Sequence, residues 1–159
     1  MKKDKEDSMA KFKYRMQNIL NIKEKLETQA KNEFAEARLR LDDEIEKLNG
    51  LESRKAAYEE EGRAMRLSAI NVRDLNDNKY ALERMDELIA LQKHQVERAQ
   101  RILETARDKL TTAMQETQIQ NKLREKAFEE FKKELNAQES KEVDELTSYI
   151  YGQRQQAAN

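Results

Sequence analysis

The sequence has 159 residues, with no Pro, no Cys, no Trp and 3 Gly, where average usage would give about eight Pro and eleven Gly. Charged residues make up 40% of the chain, yet 31 basic and 32 acidic residues leave a formal net charge of −1. Such a scarcity of turn-forming residues disfavours sandwiches, barrels and βαβ folds, and the composition is typical of long helices and coiled coils.

The composition also excludes several classes of function. A chain without Cys has no disulfide, no thiolate metal site and no cysteine nucleophile. The balanced charge disfavours a nucleic-acid surface, which usually carries an excess of basic residues. No stretch of the sequence is apolar enough for a secretory signal or a membrane span. We therefore expect a cytoplasmic protein.

A first helix is predicted at about 9–61, with Ser8 as a candidate N-cap and Gly62 in the position of a C-terminal glycine. Its inward stripe begins as a heptad and continues as an 11-residue repeat, which favours a nearly straight pairing. The stripe consists of Phe12, Met16, Ile19, Lys23, Leu26, Ala30, Phe34, Ala37, Leu41, Ile45 and Leu48.

The residues from about 62 to 76 break this pattern and predict a short helical or irregular connection. Two starts of the next helix are open, because Asn71 with Asp74 resembles a capping box and Asp77 is a second possible cap. We assign the second helix to about 77–151. Gly152 is expected to end it and residues 152–159 to form a flexible tail.

The second helix carries the strongest periodic signal in the chain, a strict alternation of four and three residues over more than four heptads. This seam consists of Met85, Ile89, Gln92, Val96, Ala99, Leu103, Ala106, Leu110, Ala113 and Thr117. The seam becomes polar around Asn121 and Arg124, and apolar residues resume at Phe128.

Two long helices separated by one break predict an all-α fold. We expect a single domain over residues 1–159, a long two-helix antiparallel coiled-coil hairpin whose second helix is the longer. With the turn centred near Ile70, Phe12 faces about Phe128, and Lys23 faces about Thr117. About 25 residues of the second helix are then unpaired, including Phe131, Leu135 and Leu146, and an unpaired apolar stripe requires a partner.

The sequence does not favour an enzyme. Its one histidine, His94, lies on a predicted helix surface, and a narrow hairpin has no pocket to hold a substrate beside it. The acidic clusters at 42–44 and 59–61 lack the loop spacing of a cation site, and there is no glycine-rich phosphate loop. We expect no catalytic residue, no metal, no cofactor and no small-molecule substrate.

Most of the aromatic residues lie near the two chain ends, and two interpretations remain open. The rings pack against one another at the open end of the hairpin, or some of them anchor a partner, because buried aromatic side chains dominate interface energetics. The group consists of Phe12, Tyr14, Phe128, Phe131, Tyr149 and Tyr151.

Motifs at both ends resemble one family. The first end reads Phe12-Lys13-Tyr14-Arg15-Met16-Gln17-Asn18-Ile19-Leu20, then Lys23-Glu24 and Lys31-Asn32-Glu33-Phe34-Ala35-Glu36-Ala37. The second end reads Phe128-Glu129-Glu130-Phe131, with Glu134, Glu139, Lys141-Glu142 and Asp144-Glu145. In these motifs, and in length and layout, the chain resembles the flagellar export protein family FliJ.

The resemblance implies a non-enzymatic stalk of the flagellar type III export apparatus, similar to the gamma subunit of rotary ATPases. It implies that the terminal end binds the hexameric export ATPase FliI and that the loop-proximal part of the second helix contacts the export gate protein FlhA. It further implies a role in ATPase assembly and in coupling to secretion, handling of export chaperones, and a place at the inner face of the cell membrane. We expect a monomer when the protein is free.

Carried over residue by residue, the resemblance implies two sets of site residues. The expected ATPase-binding residues are Phe12, Tyr14, Arg15, Gln17, Phe128 and Phe131. The expected gate-binding residues are Met85, Leu88, Ile89 and Gln92. Three of these four also belong to the seam, so that Leu88 and its neighbour Leu91 are the outward-facing candidates.

Two alternatives remain beside this reading. A plain coiled-coil scaffold or spacer would homodimerise through the exposed stripe of the second helix. The equivalent stalk of a virulence type III secretion system would have the same architecture.

Overall fold

The computed structural model describes residues 12–158, which form two long helices. Helix α1 covers Gln17–Leu67 with 51 residues, and helix α2 covers Val72–Ala157 with 86 residues. Residues 68–71 connect them, and the described residues contain no strand. The two helices pack against each other as antiparallel partners, and the second is the longer, which confirms the predicted fold class.

Helix α2 begins earlier than assigned. The side chain of Asn71 caps it, since Asn71 Oδ1 accepts a hydrogen bond from the backbone N–H of Arg73 at 3.0 Å. Asp74 lies in the first turn, where a carboxylate stabilises the positive end of the helix dipole. The structure thus agrees with the start at Asn71 and not with the alternative at Asp77. The assigned start near residue 77 is therefore wrong, and the connection is shorter than the predicted 62–76.

The predicted helix ends at Gly62 and Gly152 are wrong, because both glycines lie inside helices. No described glycine has a positive φ, the conformation that a C-terminal glycine provides. Gly62 lies instead at a close approach of the two helices, since a Cβ at this position would lie 2.5 Å from Oδ1 of Asn78. Helix α2 continues to Ala157, so that most of the expected flexible tail is helical.

The start of α1 also differs from the expectation. Ser8 and the first residues of the assigned helix lie outside the described residues. Residues 12–14 have no regular structure and 15–16 form a turn, so that α1 begins at Gln17. Phe12 and Tyr14 therefore belong to a segment that precedes the helix.

The chain divides into two compact units. The first, the hairpin unit, comprises residues 26–113, and in it the predicted α2 seam is buried or half-buried from Met85 to Ala113. The inward residues of α1 in this unit follow an unbroken heptad. They are Glu27, Ala30, Phe34, Ala37, Leu41, Glu44, Leu48, Leu51, Lys55, Tyr58, Gly62 and Met65.

The 11-residue repeat predicted for α1 is therefore wrong. Glu27 and Glu44 take the inward positions expected for Leu26 and Ile45, and Leu26 is 45% exposed. The reason is that α2 repeats every seven residues, and two helices that share one seam must share one period. Gln92 of α2 bonds to the carbonyl of Glu44 at 2.9 Å and to its carboxylate, so the inward Glu44 is satisfied.

The second, the terminal unit, comprises residues 12–25 and 114–158 of the described chain. Its most buried side chain is Leu20, 1% exposed, whereas Met16 and Ile19 of the predicted stripe are 40% and 38% exposed. Thr117 Oγ1 donates to the backbone carbonyl of Lys23 at 3.3 Å. The expected register is confirmed here, because Lys23 faces Thr117 and Phe12 faces Phe128.

Candidate functional site

An aromatic cluster joins the segment before α1 to helix α2. The ring centroid of Phe12 lies 5.2 Å from that of Phe128 and 5.4 Å from that of Phe131, distances at which aromatic pairs attract one another. The ammonium of Lys132 lies 4.6 Å from the centroid of Phe128. All three phenylalanines are half-buried. They pack against one another, which is the first of the two interpretations left open above, and they keep part of each ring exposed.

The other three expected ATPase-binding residues lie next to this cluster in the chain. The hydroxyl of Tyr14 donates to Oε1 of Gln120 at 3.2 Å, which ties the segment to α2. Gln17 begins α1, and its side chain donates to Asn21 at 2.9 Å. Arg15 is exposed. Gln120 was missed in the sequence, although position 120 continues the alternation of four and three residues after Thr117.

A cleft of about 430 Å³, which was not expected from the sequence, opens beside Phe12. Phe128 lines it on the apolar side, and Asn121, Arg124 and Glu125 line it on the polar side. The cleft therefore presents an aromatic wall and both charges to whatever binds there.

The end of α2 has no cover among the described residues. Every residue from 136 to 158 is exposed, including Val143, Leu146 and Tyr149. Phe131 and Leu135, which were expected to be unpaired, are instead half-buried. The segment before α1 brings the ring of Phe12 onto that of Phe131. The uncovered part of the helix thus begins at residue 136, about two turns later than predicted.

The expected gate-binding residues lie mostly inside the hairpin unit. Met85 and Ile89 are buried, and Gln92 bonds to Glu44 of α1. Leu88 is half-buried, and its neighbour Leu91 is exposed. A partner that touches the outside of this unit therefore meets Leu88 and Leu91 and not the three seam residues.

Ion pairs between the helices join inward lysines of α1 to carboxylates that flank the seam of α2. Lys55 Nζ lies 2.7 Å from a carboxylate oxygen of Asp86, and Lys23 Nζ lies 2.8 Å from one of Glu116. The hydrogen bond and charge of Asp86 raise the pKa of the Lys55 ammonium above its ordinary value of 10.5. The Lys55 side chain is thus held in its charged form beside Asp86.

The one histidine of the sequence lies on the surface of α2. His94 is exposed as expected, and Nδ1 lies 3.8 Å from a carboxylate oxygen of Glu97 one turn along the same helix. Among residues 12–158, no three His, Asp or Glu side chains are grouped as a metal site would require. Neither described helix is long and apolar enough to cross a membrane.

The chain matches a known protein family over most of its length. The family model described as "Flagellar FliJ protein" matches residues 12–156, which is nearly all of the described chain. The chain belongs to the FliJ family. That family is a non-catalytic coiled-coil family, and membership associates the chain with components of the type III export apparatus.

A solved structure is also similar to this FliJ-family chain. It is that of CT670 from Chlamydia trachomatis, described as a YscO homolog, and it matches with a TM-score of 0.69 and 25% sequence identity. The match covers 91% of this chain and 98% of the other. A search among curated proteins gives no match. Family and structural neighbour agree on a type III export stalk or adaptor.

Proposed function

We propose that this chain is the non-enzymatic stalk of a flagellar type III export apparatus and an adaptor between its parts. The observation that carries the proposal is the match to the flagellar family over residues 12–156. In this role it promotes assembly of the export ATPase and couples it to protein secretion, with an export-chaperone-like function. It works in the cytoplasm at the inner face of the cell membrane, and it is monomeric when free.

The terminal end binds the hexameric export ATPase, FliI. Two features support this assignment. Phe12, Phe128 and Phe131 are held together but keep exposed edges, so their rings are ordered before a partner arrives. The end of α2 presents exposed apolar side chains beyond residue 135, a surface that needs a partner. Arg15, Tyr14 and Gln17 supply polar contacts at the margin.

The loop-proximal part of α2 binds the export gate, FlhA. Leu88 and Leu91 make the contact, because they are the outward apolar residues of this stretch. Met85, Ile89 and Gln92 act from beneath by fixing this part of α2 against α1. Substituting Leu88 or Leu91 should weaken gate binding without lowering the stability of the fold. Substituting Met85 should lower both the affinity for the gate and the stability of the fold.

Co-purification with the export ATPase tests the terminal assignment. We expect the double variant Phe12→Ala with Phe131→Ala to weaken ATPase binding by at least about tenfold while its helix content by circular dichroism stays near that of the wild type. Leu39→Ala is the matched control, since Leu39 is an exposed apolar residue in the hairpin unit. Equal binding by wild type and double variant would refute the assignment.

The equivalent stalk of a virulence type III system is the second candidate. The observation that favours it is the likeness to CT670, described as a YscO homolog. Competition between a flagellar and a virulence export ATPase for the same labelled chain separates the two functions. Preference for the flagellar enzyme supports the first candidate, and preference for the virulence enzyme supports the second.

A further inference from the structure

An exposed apolar face lies along the paired part of the terminal unit. It consists of Ile19 and Ile22 on α1 and of Ile119 and Leu123 on α2, which we call the terminal apolar face. These four side chains are 38%, 56%, 56% and 44% exposed, in that order. None of them belongs to the aromatic cluster or to the seam.

The four residues share one side of the helix pair. Leu20 and Lys23 of α1 lie inward, with Thr117 and Gln120 of α2 inward opposite them. In an antiparallel coiled coil the flanking positions on one side of the seam face their equivalents on the partner helix. Ile19 and Ile22 flank the α1 seam on that side, and Ile119 and Leu123 flank the α2 seam on the same side.

The opposite side of the same stretch has a different character. There α1 carries Asn21 and Glu24, and α2 carries Asn121 and Glu125. Its one exposed apolar residue in this stretch is Met114, 48% exposed. The apolar side chains are thus concentrated on one side, and apolar residues added beside the seam positions are typical of a helix that faces more than one neighbour.

The charged residues around the terminal apolar face indicate which kind of partner would bind it. Exposed lysines border the terminal apolar face at Lys25, Lys122 and Lys126. On the same side of α2, Glu116 is already paired with Lys23 at 2.8 Å, and Glu130 lies two turns beyond Leu123. A partner that buries the four apolar side chains therefore meets a basic margin, and carboxylates beside its own apolar stripe complement that margin.

Two other occupants fit less well. A second copy of the chain in a two-fold contact would set the basic margin against itself. The eleven residues before Phe12 contain only Met1, Met9 and Ala10 as apolar side chains, too little to cover four large ones. We propose that the terminal apolar face binds an amphipathic helix of another protein, flanked by acidic residues, to form a local three-helix bundle.

A designed peptide provides the probe for this proposal. It is a fluorescent helix of about 21 residues, long enough to be helical when bound, with Leu at its a and d positions and Glu beside them. We expect it to bind the full-length chain in a fluorescence anisotropy titration. The double variant Ile22→Gln with Ile119→Gln should bind it at least about tenfold more weakly.

The matched control removes the same kind of side chain elsewhere. Met114→Gln with Leu39→Gln deletes two exposed apolar residues outside the terminal apolar face, and binding should change by less than about twofold. Circular dichroism checks that both double variants keep the helix content of the wild type. Equal loss of binding in both would mean that the peptide adheres to any apolar surface, and this would overturn the proposal.

Reversing the charges tests the second half of the proposal. A peptide with Lys in place of the flanking Glu should bind at least about tenfold more weakly, and Lys122→Glu with Lys126→Glu should reverse this preference. Absence of binding by the glutamate peptide, or equal binding of both peptides, overturns the proposal.

Self-association abolished by Ile119→Gln would assign the terminal apolar face to a second copy of the chain. A gain in peptide binding after deletion of residues 1–11 would assign the face to that segment. Both would overturn the proposal.

Discussion

Three polar side chains of α2 reach the backbone of α1. Within the hairpin unit, Asn78 Nδ2 donates to the carbonyl of Tyr58 at 2.8 Å and Gln92 to that of Glu44 at 2.9 Å. Within the terminal unit, Thr117 does the same to Lys23. A buried polar group that is bonded at only one position favours a single register, as a polar residue in a coiled-coil seam does.

The Gly62–Asn78 contact gives the sharpest prediction at this scale. Gly62→Ala places a Cβ 2.5 Å from Asn78 Oδ1, and we expect it to lower the free energy of unfolding by about 1–3 kcal/mol. Gly50→Ala is the control, because nothing lies within 4 Å of its Cβ. It should raise stability by about 0.5–1 kcal/mol. Urea denaturation measures both, and equal effects would contradict the close approach.

The ion pair of Lys55 with Asp86 predicts a pH dependence. Because the pKa of Lys55 is raised in the folded chain, the pair stabilises the fold below the ordinary lysine pKa of 10.5 and ceases to do so as the pH rises past the folded value. Lys55→Gln should therefore be less stable than wild type at pH 7, by a small margin, since both side chains are partly exposed. The margin should vanish at high pH. A difference in stability that persists at high pH would show that it does not come from the ion pair of Lys55 with Asp86.

At the scale of the helices, periodicity predicted α2 better than α1. Every predicted seam residue of α2 lies inward, because a strict heptad leaves one choice of face. In α1, apolar Leu26 lies next to Glu27 and apolar Ile45 next to Glu44, and hydrophobicity alone selects the wrong member of each pair. The heptad period of α2 determines which residues of α1 face inward. The sequence of α1 alone does not contain this information.

The aromatic cluster at the terminal end was also predictable only in part. The register brings Phe12 to Phe128 as expected, because the turn position and the two seams define it. The packing of Phe12 on Phe131 was not predictable, since it depends on a segment that leaves the helix before Gln17. The burial of Leu20 was missed for the same reason as the inward Glu27.

A pair of substitutions in α1 tests which face is inward. Leu20→Ala should cost about 2–5 kcal/mol, as for other fully buried leucines. Met16→Ala should cost less than about 1 kcal/mol, because Met16 is 40% exposed. Thermal or urea unfolding of the two variants provides the comparison. A larger cost for Met16→Ala would restore the stripe that the sequence alone predicted.

At the scale of the whole molecule, the stalk and the coiled-coil scaffold differ in their expected oligomeric state. A stalk is monomeric when free, whereas a scaffold joined through the exposed end of α2 is a stable dimer. Sedimentation velocity at low micromolar concentration distinguishes them, and we expect a monomer. A dimer that Leu146→Gln dissociates would favour the scaffold.

The central claim is that the chain acts on an export ATPase through its terminal end. The most direct measurement is the hydrolysis rate of the purified ATPase with the full chain and with a chain ending at residue 135, a truncation that removes only exposed residues of the described chain. We expect the full chain to raise the rate and the truncated chain to raise it much less. An unchanged rate with the full chain, both proteins being folded, would contradict the claim.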